Sequence, residues 1–263
     1  MDAIGVFDSG VGGLTVAAAL RRRLPRESIL YLGDTARLPY GSKSPETVTR
    51  YTLRNIEFLT ERGVKAVVVA CNTASALALP HLDSDLHLKI PTWGVIEPGA
   101  RKAASVSRGR VGIIATDATV RSDAYPRALR ALRPDLEILS QPCPLFVPLV
   151  EEGWYDDPIT EQIAERYLRP LLDAGVDTLV LGCTHYPLLV PVLRRVAGPD
   201  VTLVDSAEAV AEVVAAGLAE GGIEAGDGAA EHHVCVTDAG EKFRRLAGRI
   251  LGEDVTLEWV EVT

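Results

Sequence analysis

Two cysteines stand where buried strands would deliver them. Thr178-Leu-Val-Leu-Gly182 is a short β-branched and apolar run that leads into Cys183-Thr184-His185, and Lys65-Ala-Val-Val-Val-Ala70 leads in the same way into Cys71-Asn72-Thr73. Such runs read as strands covered on both faces, with the polar residues at their carboxyl ends. A thiol suits proton transfer near neutrality because its ordinary pKa is about 8.5, so modest tuning can leave one group as thiol and another as thiolate. If the two strand ends face one another, one sulfur can remove a proton from a stereocentre while the other returns one to the opposite face. That is the chemistry of racemisation or epimerisation. A lone cysteine at the end of a strand is more often a small core residue. The repetition, each thiol with a threonine within two positions, is what favours chemistry.

Other residues could tune these thiols. Asp8 ends the run Ala3-Ile-Gly-Val-Phe7 and can reach a thiol on a neighbouring strand, although Asp8 or Ser9 would serve equally as cap to the helix that follows. His185 lies two residues from Cys183 but, taken alone, reads as a satisfied core histidine. Glu151 and Glu152 close the stretch Cys143–Gly153, expected to be an unusually apolar loop, where carboxylates are by default solvated. A helix N-terminus just after each cysteine would favour its thiolate. Cys143, between two prolines, and Cys235, within Val234-Cys-Val236, read as structural. His232-His233 lacks further ligands for a metal, and no lysine at a strand end suggests a Schiff base to pyridoxal phosphate. The expected chemistry uses no cofactor and no metal.

The elements that must position these groups form a repeating βα pattern. Strands are expected at Ala3–Phe7, Ile29–Leu32, the run to Ala70, and Thr92–Ile96. The helix between the second and third opens at Ser44-Pro45 and stops at Gly63. A composition break at Glu97-Pro98-Gly99 suggests a boundary. The pattern then starts again with Val111–Ala115 and Leu136–Leu139, a helix opened by Asp157-Pro158 and closed at Gly175, the strand to Cys183, and Val201–Val204. After each cysteine-bearing strand a short apolar helix is expected to end at a proline, Pro80 in one copy and Pro191 in the other. Gly5 and Gly112 are 107 positions apart, and Cys71 and Cys183 are 112 apart, as a duplication with small drift would give. A further helix spans Ala207–Leu218, a polar loop spans 221–228, and a strand, helix and strand fill the tail from Val234. The tail is expected to pack back on the first half. The expected fold class is α/β, with two pseudo-symmetric doubly wound domains and a cleft between them. The first domain comprises residues 1–96 with 207–263, and the second residues 97–206. Ligands in such sheets bind beyond the carboxyl ends of the strands, which would gather Asp8, Tyr40, Cys71, Thr116, Glu151 and Cys183.

Composition limits the alternatives. The formal net charge of −9 and pI near 5.1 disfavour a nucleic-acid binder. No apolar stretch reaches the roughly 18 residues of a membrane span, and the N-terminus lacks the pattern of a secretory leader. A cytoplasmic protein with reduced thiols is expected.

Taken together, Gly5-Val-Phe-Asp-Ser-Gly-Val-Gly-Gly-Leu-Thr15, Gly33-Asp-Thr-Ala-Arg-Leu-Pro-Tyr-Gly41, Ala70-Cys-Asn-Thr-Ala74, Gly94-Val-Ile-Glu-Pro-Gly99, Phe146-Val-Pro-Leu-Val-Glu151 and Gly182-Cys-Thr-His-Tyr-Pro187 resemble the cofactor-independent aspartate/glutamate racemases, over essentially the whole chain. The Asp-Ser-Gly opening and the Cys-Thr-His end favour the glutamate branch, whose members supply D-glutamate for bacterial peptidoglycan. The resemblance implies that Cys71 serves one enantiomer and Cys183 the other, Asp8 assisting the first and Glu151 with His185 the second. It selects Glu151 over Glu152. It implies substrate contacts at Ser9, Pro39, Tyr40, Gly41, Asn72, Thr73 and Thr184, together with Asp8 and His185. Thr116 and Thr119 join this set in a turn that departs from the family's Gly-Thr-x-x-Thr, since Ala115 precedes Thr116. It also implies that a homodimer is common, with glutamate as the small-molecule substrate. Readings left open by the residues are a racemase for another amino acid such as aspartate, a non-catalytic anion-binding protein, and a hydrolase with a metal held by Cys71, Cys183, His185 and Asp8.

Overall fold

The computed structural model describes residues 2–85, 90–225, 228–238 and 240–262. Part of the polar loop expected at 221–228, residues 226 and 227, lies outside the described residues, as do Met1, 239 and Thr263. Strands β1 (Ala3–Asp8), β2 (Ser28–Gly33), β3 (Ala66–Val69) and β4 (Thr92–Gly94) come from the first part of the chain. Strands β5 (Arg110–Ala115), β6 (Glu137–Pro142), β7 (Thr178–Gly182) and β8 (Thr202–Asp205) come from the middle, and β9 (His232–Val236) and β10 (Leu257–Trp259) from the tail. Two parallel sheets result, in the orders β10-β9-β2-β1-β3-β4 and β6-β5-β7-β8. Four strands of the first sheet therefore repeat the whole order of the second, and the tail pairs onto β2.

Alternation along the strands divides the cores. Ile4 and Val6 face the helices Leu14–Arg23 and Ser206–Gly221, whereas Ala3 and Phe7 face the helix Pro45–Glu61. In the second sheet Leu179 and Leu181 face the helices Pro158–Asp173 and Val190–Ala197, and Val180 faces Ile96–Val106 and Ala124–Leu132. Each sheet is thus covered on both faces, as parallel sheets must be. The duplication reaches single contacts. A Cβ on Gly5 would meet Val64 and Leu59 at 3.1–3.3 Å, and one on Gly112 would meet Leu179, Leu171 and Val176 at 3.1–3.3 Å.

Three local expectations require correction. The stretch expected as an apolar loop contains a helix, Phe146–Glu152, which buries Phe146, Leu149 and Val150 and ends at Gly153 with φ +84°. Its i, i+3, i+4 apolar spacing supplies a buried stripe, and Pro148 falls within the first turn, where a missing N–H costs nothing. The fourth strand stops at Gly94, and Glu97, Pro98 and Gly99 lie inside the helix Ile96–Val106, with Pro98 again in a first turn. Pro80 and Pro191 lie in the first turns of Leu79–Asp85 and Val190–Ala197 and so open helices. Pro191 is preceded by the 3₁₀ turn Tyr186–Leu189.

Candidate active site

In each sheet the strand order reverses beside the first strand of its half, at β1/β3 and at β5/β7, which is where such sheets open a crevice at their carboxyl ends. Cys71 leaves β3 and caps the helix Asn72–Leu77, and Cys183 follows β7 directly. Both sulfurs border one buried cavity of about 20 Å³ open to water. Ser9, Pro39, Tyr40, Gly41, Asn72, Thr73, Thr116, Thr184 and His185 complete its border with two apolar side chains, Leu38 and Val147.

The halves meet closely where glycine permits it. A Cβ on Gly12 would stand 2.5 Å from Thr184 Oγ1 and 2.7 Å from His185 Nδ1, and one on Gly41 would stand 2.7 Å from Thr116 Cβ. Real Cβ atoms do not approach so closely, so glycine at these two points lets backbone of the first half press against side chains of the second.

Asp8, fully buried, accepts from Gly10 N at 2.9 Å and from the Thr184 hydroxyl at 3.2 Å, which ties the end of β1 to the residue beside Cys183. It does not cap the following helix, which has no side-chain cap; nor does Ser9. Ser9 Oγ lies instead 3.7 Å from Cys71 Sγ. Burial pushes the Cys71 thiol up, and the Asp8 charge adds to it. The Ala74 N–H and Ser9 hydroxyl pull only part of the way back, leaving the pKa at about 12. His185 stands differently. Burial would lower its pKa, but contact with Cys183 and Glu151 and the charges of Cys183 and Asp8 raise it to about 10. Its Nδ1 is 3.8 Å from Cys183 Sγ, and its Nε2 faces Glu151 Oε1 at 3.5 Å. That last distance is at the limit of a hydrogen bond, and Nε2 has no closer partner among the described residues. The contact is an ion pair more than a bond.

Glu151, at the end of the helix Phe146–Glu152, borders a neighbouring cavity with Val11, Leu38 and Phe243 and reaches the thiol only through His185. Thr119 stands one layer back, its hydroxyl 3.1 Å from Thr73 Oγ1 and 3.0 Å from Thr116 Oγ1. Thr116 caps its helix by accepting from Thr119 N. The Tyr40 hydroxyl donates to buried Asp34, which also accepts from Asn55 and Thr237, so the loop bearing Pro39 and Gly41 is pinned from below. Leu38, Val147, Asp34 and Asn55 escaped the sequence reading. Asp34 was legible only as part of Gly33-Asp-Thr35, and Val147 only as one apolar residue in a stretch read as loop.

The arrangement brings two thiols, one from each α/β half, to a single cavity, the geometry that an amino-acid racemase needs. The sequence profile of the Asp/Glu/Hydantoin racemase family matches residues 14–214, and the chain belongs to that family. It is therefore an isomerase. A glutamate racemase of Geobacter metallireducens is 54% identical over 256 residues, covering 95% of this chain and 93% of that protein. Among solved structures, a glutamate racemase isoform from Bacillus anthracis superposes with a TM-score of 0.94 at 42% identity, covering 99% of this chain and 98% of that one. The Francisella tularensis glutamate racemase in complex with D-glutamate gives 0.93 at 37% identity over the same shares. Among the described residues no group of histidine, cysteine and carboxylate side chains has the disposition of a metal site, and no helix is long and apolar enough to cross a membrane.

Proposed function

We propose that the chain is a glutamate racemase that interconverts L- and D-glutamate by cofactor-independent proton transfer at Cα between Cys71 and Cys183. The observation that carries this reading is the shared cavity, with one thiol contributed from each half. At neutral pH the raised pKa of Cys71 keeps its proton on, and the raised pKa of His185 places an imidazolium beside Cys183. In this reading one direction starts with the Cys183 sulfur as base, beside the His185 ring at 3.8 Å. It takes the Cα proton, electron density moves toward the substrate carboxylate, and the Cys71 thiol delivers its proton to the opposite face. The proton inventory is then reversed, as the return reaction requires. The developing charge is met by oriented donors, namely the hydroxyls of Ser9 and Thr73 and the substrate's own ammonium group. Asp8 tunes Cys71, and Glu151 holds His185 protonated.

A cavity of about 20 Å³ holds about one water, so glutamate requires the halves to part. We assign residues 1–96 with 207–263 and residues 97–206 to the two moving domains, with hinges at Val95–Glu97 and Asp205–Ser206. Closure then strips water from the reacting centre. In this reading the protein works as a homodimer in the cytoplasm and supplies D-glutamate for peptidoglycan.

The test is proton NMR of the metal-free protein in D2O with each glutamate enantiomer, without added cofactor. The Cα proton should be lost as the opposite enantiomer forms, and Cys71→Ala or Cys183→Ala should each abolish turnover. Absence of exchange in the wild type would sink the glutamate assignment, and the same assay on aspartate would then separate another racemase from a binding protein.

A further inference from the structure

Asn72 follows Cys71 directly and is 3% exposed. Its side-chain oxygen accepts from the Tyr125 hydroxyl at 2.7 Å, while its Nδ2 has no hydrogen-bond partner among the described residues. An amide N–H₂ left unpaired at such depth costs free energy unless something arrives to accept from it, and Asn72 borders the cavity shared by the two thiols.

Tyr125 belongs to the other half of the molecule, on the helix Ala124–Leu132, and its side chain is 1% exposed. The ring packs over Gly182, where a Cβ would stand 3.2 Å from Tyr125 Cε2, immediately before Cys183. Its hydroxyl sits between the two chain crossings. A Cβ on Gly99 would come within 3.2 Å of both Tyr125 Oη and Ser206 Cβ, so the phenol oxygen and Ser206 meet beside Gly99. With the phenol proton given to Asn72 Oδ1, the amide has only its N–H₂ left to offer the cavity.

We propose that Tyr125 is a positioning residue that fixes the orientation of Asn72, so that Asn72 Nδ2 is presented as a donor to a carboxylate of the bound amino acid. The inference rests on the racemase reading above and concerns how that site recognises its anionic substrate without an arginine. Because Tyr125 touches both crossings, it lies near the axis about which the halves would turn, where displacement is smallest. The donor is therefore oriented before the substrate arrives.

The substrate carboxylate is already charged before reaction, so most of the contact is made in the ground state, and its loss appears chiefly in KM. Tyr125→Phe keeps the ring over Gly182 and removes only the hydroxyl. It should raise KM for both glutamate enantiomers by about tenfold, the worth of a hydrogen bond to a charged group, with kcat unchanged within about twofold. Asn72→Ala should raise KM at least as much, and adding Tyr125→Phe to Asn72→Ala should change nothing further, because a residue acting only through Asn72 has nothing left to act on. Tyr125→Phe with wild-type KM, or with the same penalty in the Asn72→Ala background, would overturn the relay and leave the racemase reading standing. A wild type inactive on both enantiomers would instead remove the substrate and overturn both. Should Tyr125→Phe fail to fold, a crystal structure of the wild type with D-glutamate decides. Asn72 Nδ2 within about 3.2 Å of a carboxylate oxygen, with Tyr125 on the other amide atom, supports the relay. A carboxylate bound without Asn72 refutes it.

Discussion

Cys71 and Cys183 occupy equivalent strand ends of a duplicated fold, yet the two thiols meet opposite electrostatic surroundings. Cys71 caps an α-helix, lies near the Asp8 carboxylate and is held at about 12. Cys183 is followed by a tight turn and a 3₁₀ segment, and its closest titratable partner is an imidazole raised to about 10. The repeated strand order gives the two thiols equivalent positions with unlike neighbours, and in the proposed mechanism that difference makes them complementary. Separating the proton affinities of paired groups is how a site distinguishes its acid from its base. Asp8 belongs to both sides of the comparison, since its charge acts on Cys71 while its hydrogen bond reaches Thr184.

The comparison can be broken most severely at the sulfurs. Replacement of either cysteine by alanine should lower racemisation by about 10³ or more, in both directions, because proton removal and return are obligatory partners. A variant that lost only one direction would show that the halves work independently. Gly12→Ala should come next. Its Cβ would collide with Thr184 and His185, and the Thr184 carbonyl carbon at 2.9 Å cannot swing aside. Displacing the Cys183 half by a fraction of an ångström should reduce kcat/KM by about a hundredfold, with far-UV circular dichroism unchanged. Thr184→Val keeps the shape and removes the bond to Asp8, so a loss of about tenfold in kcat/KM is expected. A loss under twofold would show that Asp8 needs no tie to the second half.

The smallest effect concerns stability. A histidine whose pKa rises from 6.5 to about 10 on folding binds its proton more tightly in the native state. Its stabilising contribution is therefore complete below about pH 6.5 and fades as the pH rises through about 10. Urea titrations of His185→Gln at pH 6.5 and pH 10 should show a shallower loss of stability between those values than the wild type. Equal slopes would mean that His185 is neutral in the native protein, and the contrast between the two thiols would lose its cation.

Much of the site was legible because strand chemistry is local. A β-branched apolar run of four or five residues has few places to go but the middle of a parallel sheet, and whatever follows it must emerge at the carboxyl edge. The ends of β3 and β7 were readable on that ground, as were the capped starts at Ser44 and Asp157, where a side chain accepts from a nearby N–H of its own helix. The stretch around Glu151 misled because two prolines and a short apolar run fit a loop as well as a single buried helix. Only packing of Phe146 against Tyr167 and Tyr186 decides between them. Likewise Pro80, Pro98 and Pro191 were read as stops, although proline in a first turn is as compatible with a start.

By itself the sequence determined the duplicated α/β pattern, the two thiols at matching strand ends and the polar residues within a few positions of each, because these follow from periodicity and short-range bonding. Tertiary structure alone decided that Asp8 bonds to Thr184, that Glu151 reaches Cys183 only through His185, and that Tyr125 reaches Asn72 from the other half. The residues of these contacts are 176, 34 and 53 positions apart, and no local rule links them. The first and third exist because two separately covered sheets press their carboxyl edges together, a fit of whole surfaces that glycine at positions 12 and 41 admits, and the second because the helix Phe146–Glu152 packs beside the end of β7 within one half.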